Sequence, residues 1–413
     1  MNISIAVLII ILVMMAIPKI GRFNIKIWQL MLSGAAAVLL AREISWQDAL
    51  LAIDIEVMVF LFGMFVVGQA MVASGYLYFL AYRLVSRLQS VAQLVLAILF
   101  GAAFGSALLM NDTLAIVGTP LVLRLAHEHK INSGLLLLTL AYSITLGSVF
   151  SPLGNPQNFL IASHSHLSEP FLTFFGALAV PTLINLGITY LLLRWAYRQQ
   201  FAAAMPLVHT PVTVLDENLA GWAKVSLGLL LALIALKILF VNLGILVDIH
   251  LSHIAVIAAL PVLLFSPARC QLLKHLDWAT LVFFAALFVL MASVWQTGLI
   301  QLQVQQLHVD LTTVPAILMV SASVSQLISN VPLVALYLPM VKDLDVNALM
   351  ALAAGSTVAG NFLILGAASN VIIIQHAQKH SATLNFFEFA RLGIPLGLLN
   401  LLVYWLWLSF CYH

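Results

Sequence analysis

The sequence predicts an all-α polytopic membrane protein made of two inverted-topology repeats, with about ten transmembrane helices plus two re-entrant hairpins and broken helices. Three observations predict it. The chain is 63% hydrophobic and 8% charged over 413 residues, whereas a soluble globule is roughly 25% charged. Apolar runs long enough to lie in a bilayer alternate with short polar breaks from end to end. The second half also repeats the first, motif by motif.

The first apolar run, Ile3 to Ile17, has its basic residues (Lys19, Arg22, Lys26) after it. A cleavable signal peptide has the opposite order, so this run reads as a retained helix. Further spans fall at 27–40, 50–73, 134–163 and 170–193, and a second set at 223–241, 250–265, 278–297, 348–378 and 387–410. Two more apolar stretches, 94–123 and 314–340, are interrupted by "LMNDT" and "LISNVP" and read as hairpins. A polar linker, 198–221, divides the first repeat, 1–197, from the second, 222–413. The two cysteines, Cys270 and Cys411, suggest neither a disulfide framework nor a metal site.

Positive charges orient the chain. With 94–123 and 314–340 as hairpins, 14 of the 17 Lys and Arg residues fall on the cytoplasmic side; Arg42 and Lys342 lie outside and Lys237 lies within a span. Counting the hairpins as single crossings spreads basic loops over both faces. The hairpin reading puts both termini outside and the linker inside.

The repeats align without gaps over their third spans: "IDIEVMVFLFGMFVVGQAMVASGYL" (53–77) matches "LDWATLVFFAALFVLMASVWQTGLI" (276–300), pairing Asp54 with Asp277 and Gly75 with Gly298. "NDTLAIVGTP" (111–120) matches "NVPLVALYLP" (330–339), and "SPLGNPQN" (151–158) matches "LILGAASN" (363–370). Five spans per copy is an odd number, so the second copy enters the membrane from the opposite face, as in secondary transporters.

The stretch Ser151 to Asn158 breaks a helix between two segments apolar enough for lipid. Unpaired backbone groups there cost several kcal/mol each unless protein or a water-filled cavity covers them. Four such breaks occur at equivalent places. Their half-helix ends offer N-terminal dipoles to anions and free carbonyls to cations. The candidate solute and ion residues are Asn111, Asp112 and Thr113 at the first tip, Ser151, Gly154, Asn155 and Asn158 at the first break, Ser329 and Asn330 at the second tip, and Asn361, Ser369 and Asn370 at the second break. Asp112 reads either as a helix cap or as a cation ligand or proton carrier.

These motifs resemble the ion transporter superfamily, which includes arsenite permeases, sodium/proton antiporters and citrate and dicarboxylate carriers. Asn111-Asp112 with Thr119-Pro120 looks like the first hairpin of the permeases and antiporters. Ser329-Asn330-x-Pro332 is similar to the second permease hairpin, and "SPLGNPQN" and "AASN" resemble the broken-helix motifs. The resemblance covers nearly the whole chain in order. It implies a homodimer in the cell inner (plasma) membrane, with a static scaffold and a mobile unit moving as an elevator. Asn111, Asn158, Asn330 and Asn370 would line the site. Dicarboxylate carriers have Ser-Asn-Thr at both tips, where this chain has Met110-Asn111-Asp112-Thr113 and Ser329-Asn330-Val331.

The expected activity is secondary transport of a small anion or oxyanion, of the citrate, dicarboxylate or arsenite type, coupled to Na+ or H+. A Na+/H+ antiporter is the alternative; a channel or membrane-embedded enzyme fits less well. Na+ would sit near Asn111, Asp112 and Asn330. No H-E-x-x-H, G-x-S-x-G or P-loop pattern is present. No catalytic residue, resident metal, organic cofactor or nucleic-acid partner is expected, and an ATPase partner stays open. Lys237 reads as snorkelling or pairing at a dimer contact, "HEHK" (127–130) and "HSH" (164–166) as loop histidines, and His376 as a packed or interfacial one.

Overall fold

The computed structural model describes residues 3–16, 26–165, 167, 169–202, 214–243, 249–299, 311–340, 344–379, 382 and 384–412. Every regular element among them is helical. The first half runs α1 (Ile3–Ala16), α2 (Ile27–Leu40), α3 (Trp46–Ala52), α4 (Ile55–Ala73), α5 (Tyr76–Val85), α6 (Val91–Leu109), α7 (Asn111–Glu128), α8 (Ser133–Val149), α9 (Pro156–His164), α10 (Pro170–Ala196) and α11 (Arg198–Ala202). The second half runs α12 (Glu217–Asn242), α13 (Leu251–Phe265), α14 (Arg269–Lys274), α15 (Trp278–Gln296), α16 (Val314–Ile328), α17 (Asn330–Met340), α18 (Val346–Val358), α19 (Ala368–Lys379) and α20 (Phe386–Leu406), with 3-10 turns at Ala359–Asn361 and Ile364–Gly366.

Polar side chains cap several helix starts. Ser45, Asp54, Asn132, Asn155, Asp216 and Asp277 each accept a backbone N–H in the first turn of the helix that follows. Among the described residues, six helices are long and apolar enough to cross a membrane: α4, α6, α10, α12, α15 and α20 continued to Cys411. α1 and α2 have 14 residues and α13 has 15, so at about 1.5 Å per residue they fall short of a hydrocarbon core of about 30 Å.

Several boundaries differ from the sequence expectation. The run 50–73 divides at Ile53, because Asp54 caps a new helix there. α12 begins at Glu217, inside the expected linker, and Leu215 N–H ties that linker end to Ser74 C=O at 3.0 Å. α5 was not expected. Residues 18–25 of the predicted inner loop 18–26, and linker residues 203–213, lie outside the described residues.

Contacts fall in corresponding pairs. α2 packs on α15 as α13 packs on α4; α6 on α8 as α16 on α18; α7 on α19 as α17 on α9. Two glycines permit close backbone approaches between helices. A Cβ on Gly63 would meet the Ala255 carbonyl carbon at 2.7 Å, and one on Gly147 would overlap the Ala103 backbone. α4 and α15 each end on a left-handed glycine, Gly75 (φ 74°) and Gly298 (φ 70°), the conformation that closes a helix C-terminus without Cβ strain.

The expected hairpins are present as sharp reversals. A single residue joins each pair of arms, Met110 between α6 and α7 and Ser329 between α16 and α17. Both are non-glycine residues at positive φ, 70° and 69°. Such backbones cost about 1–3 kcal/mol and persist where surrounding structure over-determines them. Leu114 folds back against Gly105, where a Cβ would lie 3.2 Å from Leu114 Cδ1.

Candidate solute and ion site

The first break is a stop followed by a restart. α8 ends at Val149, and Pro152 lacks the N–H that another turn would need. α9 restarts with Pro156 at its first position and Asn155 as cap, accepting from Asn158 N–H at 2.8 Å. Asn158 then closes the gap. Its side-chain amide donates to the carbonyls of Ser148, Val149 and Ser151 at 2.9, 3.1 and 3.1 Å, and its Oδ1 accepts from Thr357 Oγ1 at 3.4 Å. Ser151 Oγ accepts from Leu153 N–H at 3.2 Å. The break is thus satisfied internally, as a membrane interior demands.

The two breaks cross at Thr357, on α18. Asn155 Nδ2 donates to Thr357 Oγ1 at 3.2 Å, and Gln157 Nε2 donates to it at 3.3 Å. The first hairpin tip joins the same centre: Asn111 N–H donates to Gly154 C=O at 3.0 Å. A Cβ on Gly154 would overlap the Ser148 backbone, so the folding of the break back on the end of α8 needs glycine. The second hairpin is tied to the second break through Gln326, whose Nε2 donates to Ala359 C=O at 2.7 Å.

The second break is built similarly and satisfied less. Asn370 Nδ2 donates to Gly360 C=O at 2.6 Å. Yet Asn370 Oδ1 and Ser369 Oγ are buried without a protein partner, as are the tip oxygens Asn111 Oδ1 and Asn330 Oδ1. Unpaired buried polar atoms are costly and rare. Four on the elements that meet here, all able to accept, suit a cation or a donor-bearing solute. Asn111 and Asn330 begin α7 and α17, so each unpaired tip oxygen stands at a helix N-terminus.

Not every candidate joins this centre. Asn361 turns to α20, donating from Nδ2 to Asn400 Oδ1 at 3.1 Å. Asn185 on α10 donates to the Asn400 carbonyl at 3.4 Å. Thr113 is buried against Gly68 of α4, where a Cβ would lie 2.9 Å from its Oγ1. Asp112 is not the cap residue of α7. That position falls to Met110, whose side chain makes no capping bond, and Asp112 lies in the first helical turn. Thr357, Gln157, Ser148 and Gln326 escaped the sequence reading. The one available signal was Thr357, which aligns with Thr145 in the first repeat.

The secondary candidates resolve locally. Lys237 is buried and donates to Ile249 C=O at 2.8 Å, anchoring the chain before α13 within the protomer. His127 and Glu128 belong to the last turn of α7, where Glu128 pairs with Arg124 at 2.8 Å. His164 pairs with Asp54, and His166 lies outside the described residues. Among the described residues no cluster of His, Cys, Asp or Glu has metal-binding geometry.

With hairpins, breaks and unpaired asparagines in place, comparison decides the lineage. The CitMHS citrate transporter family matches residues 6–348. The chain belongs to that family. An uncharacterised transporter of Mycobacterium tuberculosis is 27% identical over 414 residues, covering 92% of both chains. The human P protein is 26% identical over 437 residues, covering 83% of this chain and 52% of its own. The crystal structure of the Alcanivorax borkumensis YdaH transporter superposes with a TM-score of 0.57 at 18% identity, covering 98% of this chain and 96% of that one. That likeness is one of fold. The citrate transporter family is that of a membrane transporter, as the sequence predicts.

Proposed function

We propose that this citrate transporter family member is a secondary carrier that moves citrate, or a closely related small carboxylate, together with Na+ or H+ by an elevator-like exchange of access. The observation that carries the reading is the set of unpaired buried oxygens at Asn111, Asn330, Ser369 and Asn370. None of them can donate to a carboxylate except the serine hydroxyl. They are ligands for a cation, and helix N-termini beside them favour the anion. Anion and cation together make a load of low net charge, and low net charge is what lets a loaded unit traverse hydrocarbon. The corresponding contacts of the two halves support two inverted repeats; both termini outside a plasma membrane and a dimer formed through scaffold helices complete the proposal. A competition panel tests the solute. Uptake of radiolabelled citrate by the purified protein should be inhibited by unlabelled citrate far more than by succinate, arsenite or phosphate. Equal inhibition by all four would refute the assignment.

A further inference from the structure

Each repeat carries an aspartate capping its third span and a histidine six residues beyond its break asparagine: Asp54 and His164 in the first, Asp277 and His376 in the second. In the first repeat Asp54 makes two different contacts. Oδ1 accepts from Val57 N–H at 3.0 Å and caps α4. Oδ2 lies 3.0 Å from His164 Nε2, at the last residue of α9. The pair therefore ties a framework helix to a half-helix of the site. In the second repeat Asp277 caps α15 in the same way, through Thr280 N–H at 3.0 Å. Its Oδ2 accepts instead from the Thr280 hydroxyl at 2.6 Å. The two repeats hold the same parts in different connections.

The Asp54–His164 pair borders a cavity of about 320 Å³, walled on the far side by Phe288, Met291 and Trp295 of α15 and by Leu336 and Pro339 of α17. α9 and α17 belong to the hairpin-and-break unit, α4 and α15 to the framework. Movement between them must part Asp54 from His164.

We propose that the two aspartate–histidine pairs are reciprocal latches: Asp54–His164 holds the conformation described here, and Asp277–His376 forms in its place when the unit moves to the opposite face. The proposal rests on the alternating-access reading above. It follows from the inverted repeat, because exchanging the conformations of the two copies exchanges which aspartate meets its histidine.

The latch is sensitive to protons. His164 is half exposed at the C-terminal end of α9. The charged groups around it are Asp54 and Glu56. Glu56 is engaged by His250 Nδ1 at 3.3 Å and by the Ser252 hydroxyl, and His253 packs its ring on His250. α17 and α18, also packed near α9, contain no acidic or basic residue. The hydrogen bond to Asp54, with its charge, raises His164 above the usual histidine range. Burial pushes Asp54 upward, but the bonds from His164 and Val57 N–H outweigh it and hold Asp54 below its ordinary value. A raised base is lost as pH climbs through its bound value, and a lowered acid is lost as pH falls through its own. The latch is whole between those two values and opens on either side.

Disulfide trapping tests this in the full-length protein with Cys270 and Cys411 replaced by Ser. The pairs Asp54→Cys with His164→Cys, and Asp277→Cys with His376→Cys, should each close under copper-phenanthroline at neutral pH. Introducing Asp54→Asn into the second pair should speed its closure several-fold, because Asn retains the Oδ1 cap on α4 while losing the charge toward His164. His164→Gln should do the same. Failure of the second pair to close, or a closure rate unmoved by both variants, overturns the proposal. Citrate uptake by the unmodified protein is read separately. Its absence with reciprocal trapping intact would refute the solute assignment alone.

Discussion

The side-chain amide of Asn370 donates to the Gly360 carbonyl, ten residues earlier, at 2.6 Å, the same bond that Asn158 makes to Ser148 at 2.9 Å. Each break is closed by one asparagine reaching back across it. The two differ at the other end of the amide, where Asn158 Oδ1 is engaged by Thr357 and Asn370 Oδ1 is unpaired. Asn158 is therefore foremost a structural clamp, whereas Asn370 clamps its break and keeps an acceptor oxygen unused.

Asn158→Ala strips a donor from three buried carbonyls, at a cost of about 1–3 kcal/mol for each group left unsatisfied. The melting temperature of the purified protein should fall clearly. Asn370→Ala removes a donor from the Gly360 carbonyl alone and should lower it less, while abolishing citrate uptake outright. Equal melting shifts in the two variants would remove the distinction.

The packing of the first hairpin on α8, and of the first break on α8, depends on glycine. Gly147→Ala forces a Cβ into the Ala103 backbone, and Gly154→Ala forces one into Ser148. Neither neighbour is a side chain that can rotate away, so overpacking should cost at least about 1–3 kcal/mol. Gly187→Ala, where nothing lies within 4 Å of the new Cβ, should leave melting and uptake unchanged and serves as the control.

Topology can be read from the native thiols, since Cys270 and Cys411 are both free and exposed. The inverted-repeat reading predicts that a membrane-impermeant maleimide reaches Cys270 only from the cytoplasm and Cys411 only from outside. Labelling of both from one face would contradict it.

Asp112→Asn separates coupling from binding. A carboxylate in the first turn of α7, at a hairpin tip, must be neutralised before it crosses hydrocarbon. The neutral amide should still permit citrate exchange between equally loaded compartments while losing gradient-driven accumulation. Accumulation at the wild-type level would place the coupling ion elsewhere.

Much of this architecture was legible because membrane burial makes polar residues informative. The runs at 27–40 and 250–265 match α2 and α13 closely, and "SPLGNPQN" marked its break through two prolines that no continuous helix accepts. Less legible were features set by tertiary contact. Nothing in "LLMNDT" announces that Met110 takes φ 70°, since local preference opposes it and the docking of Asn111 on Gly154 imposes it. Thr357 and Gln326 look like ordinary small and polar residues in apolar runs until the breaks cross over them. Asn361 carried the break signature but is drawn away by Asn400, 39 residues on in a helix whose register the sequence leaves open.

Gradient-driven uptake tests the central claim most directly. Purified protein in proteoliposomes, given an inward Na+ or H+ gradient, should accumulate radiolabelled citrate above its external concentration, and an ionophore that dissipates the effective gradient should release it. Citrate that merely equilibrates, at a rate indifferent to both gradients and to the ionophore, would contradict coupled transport.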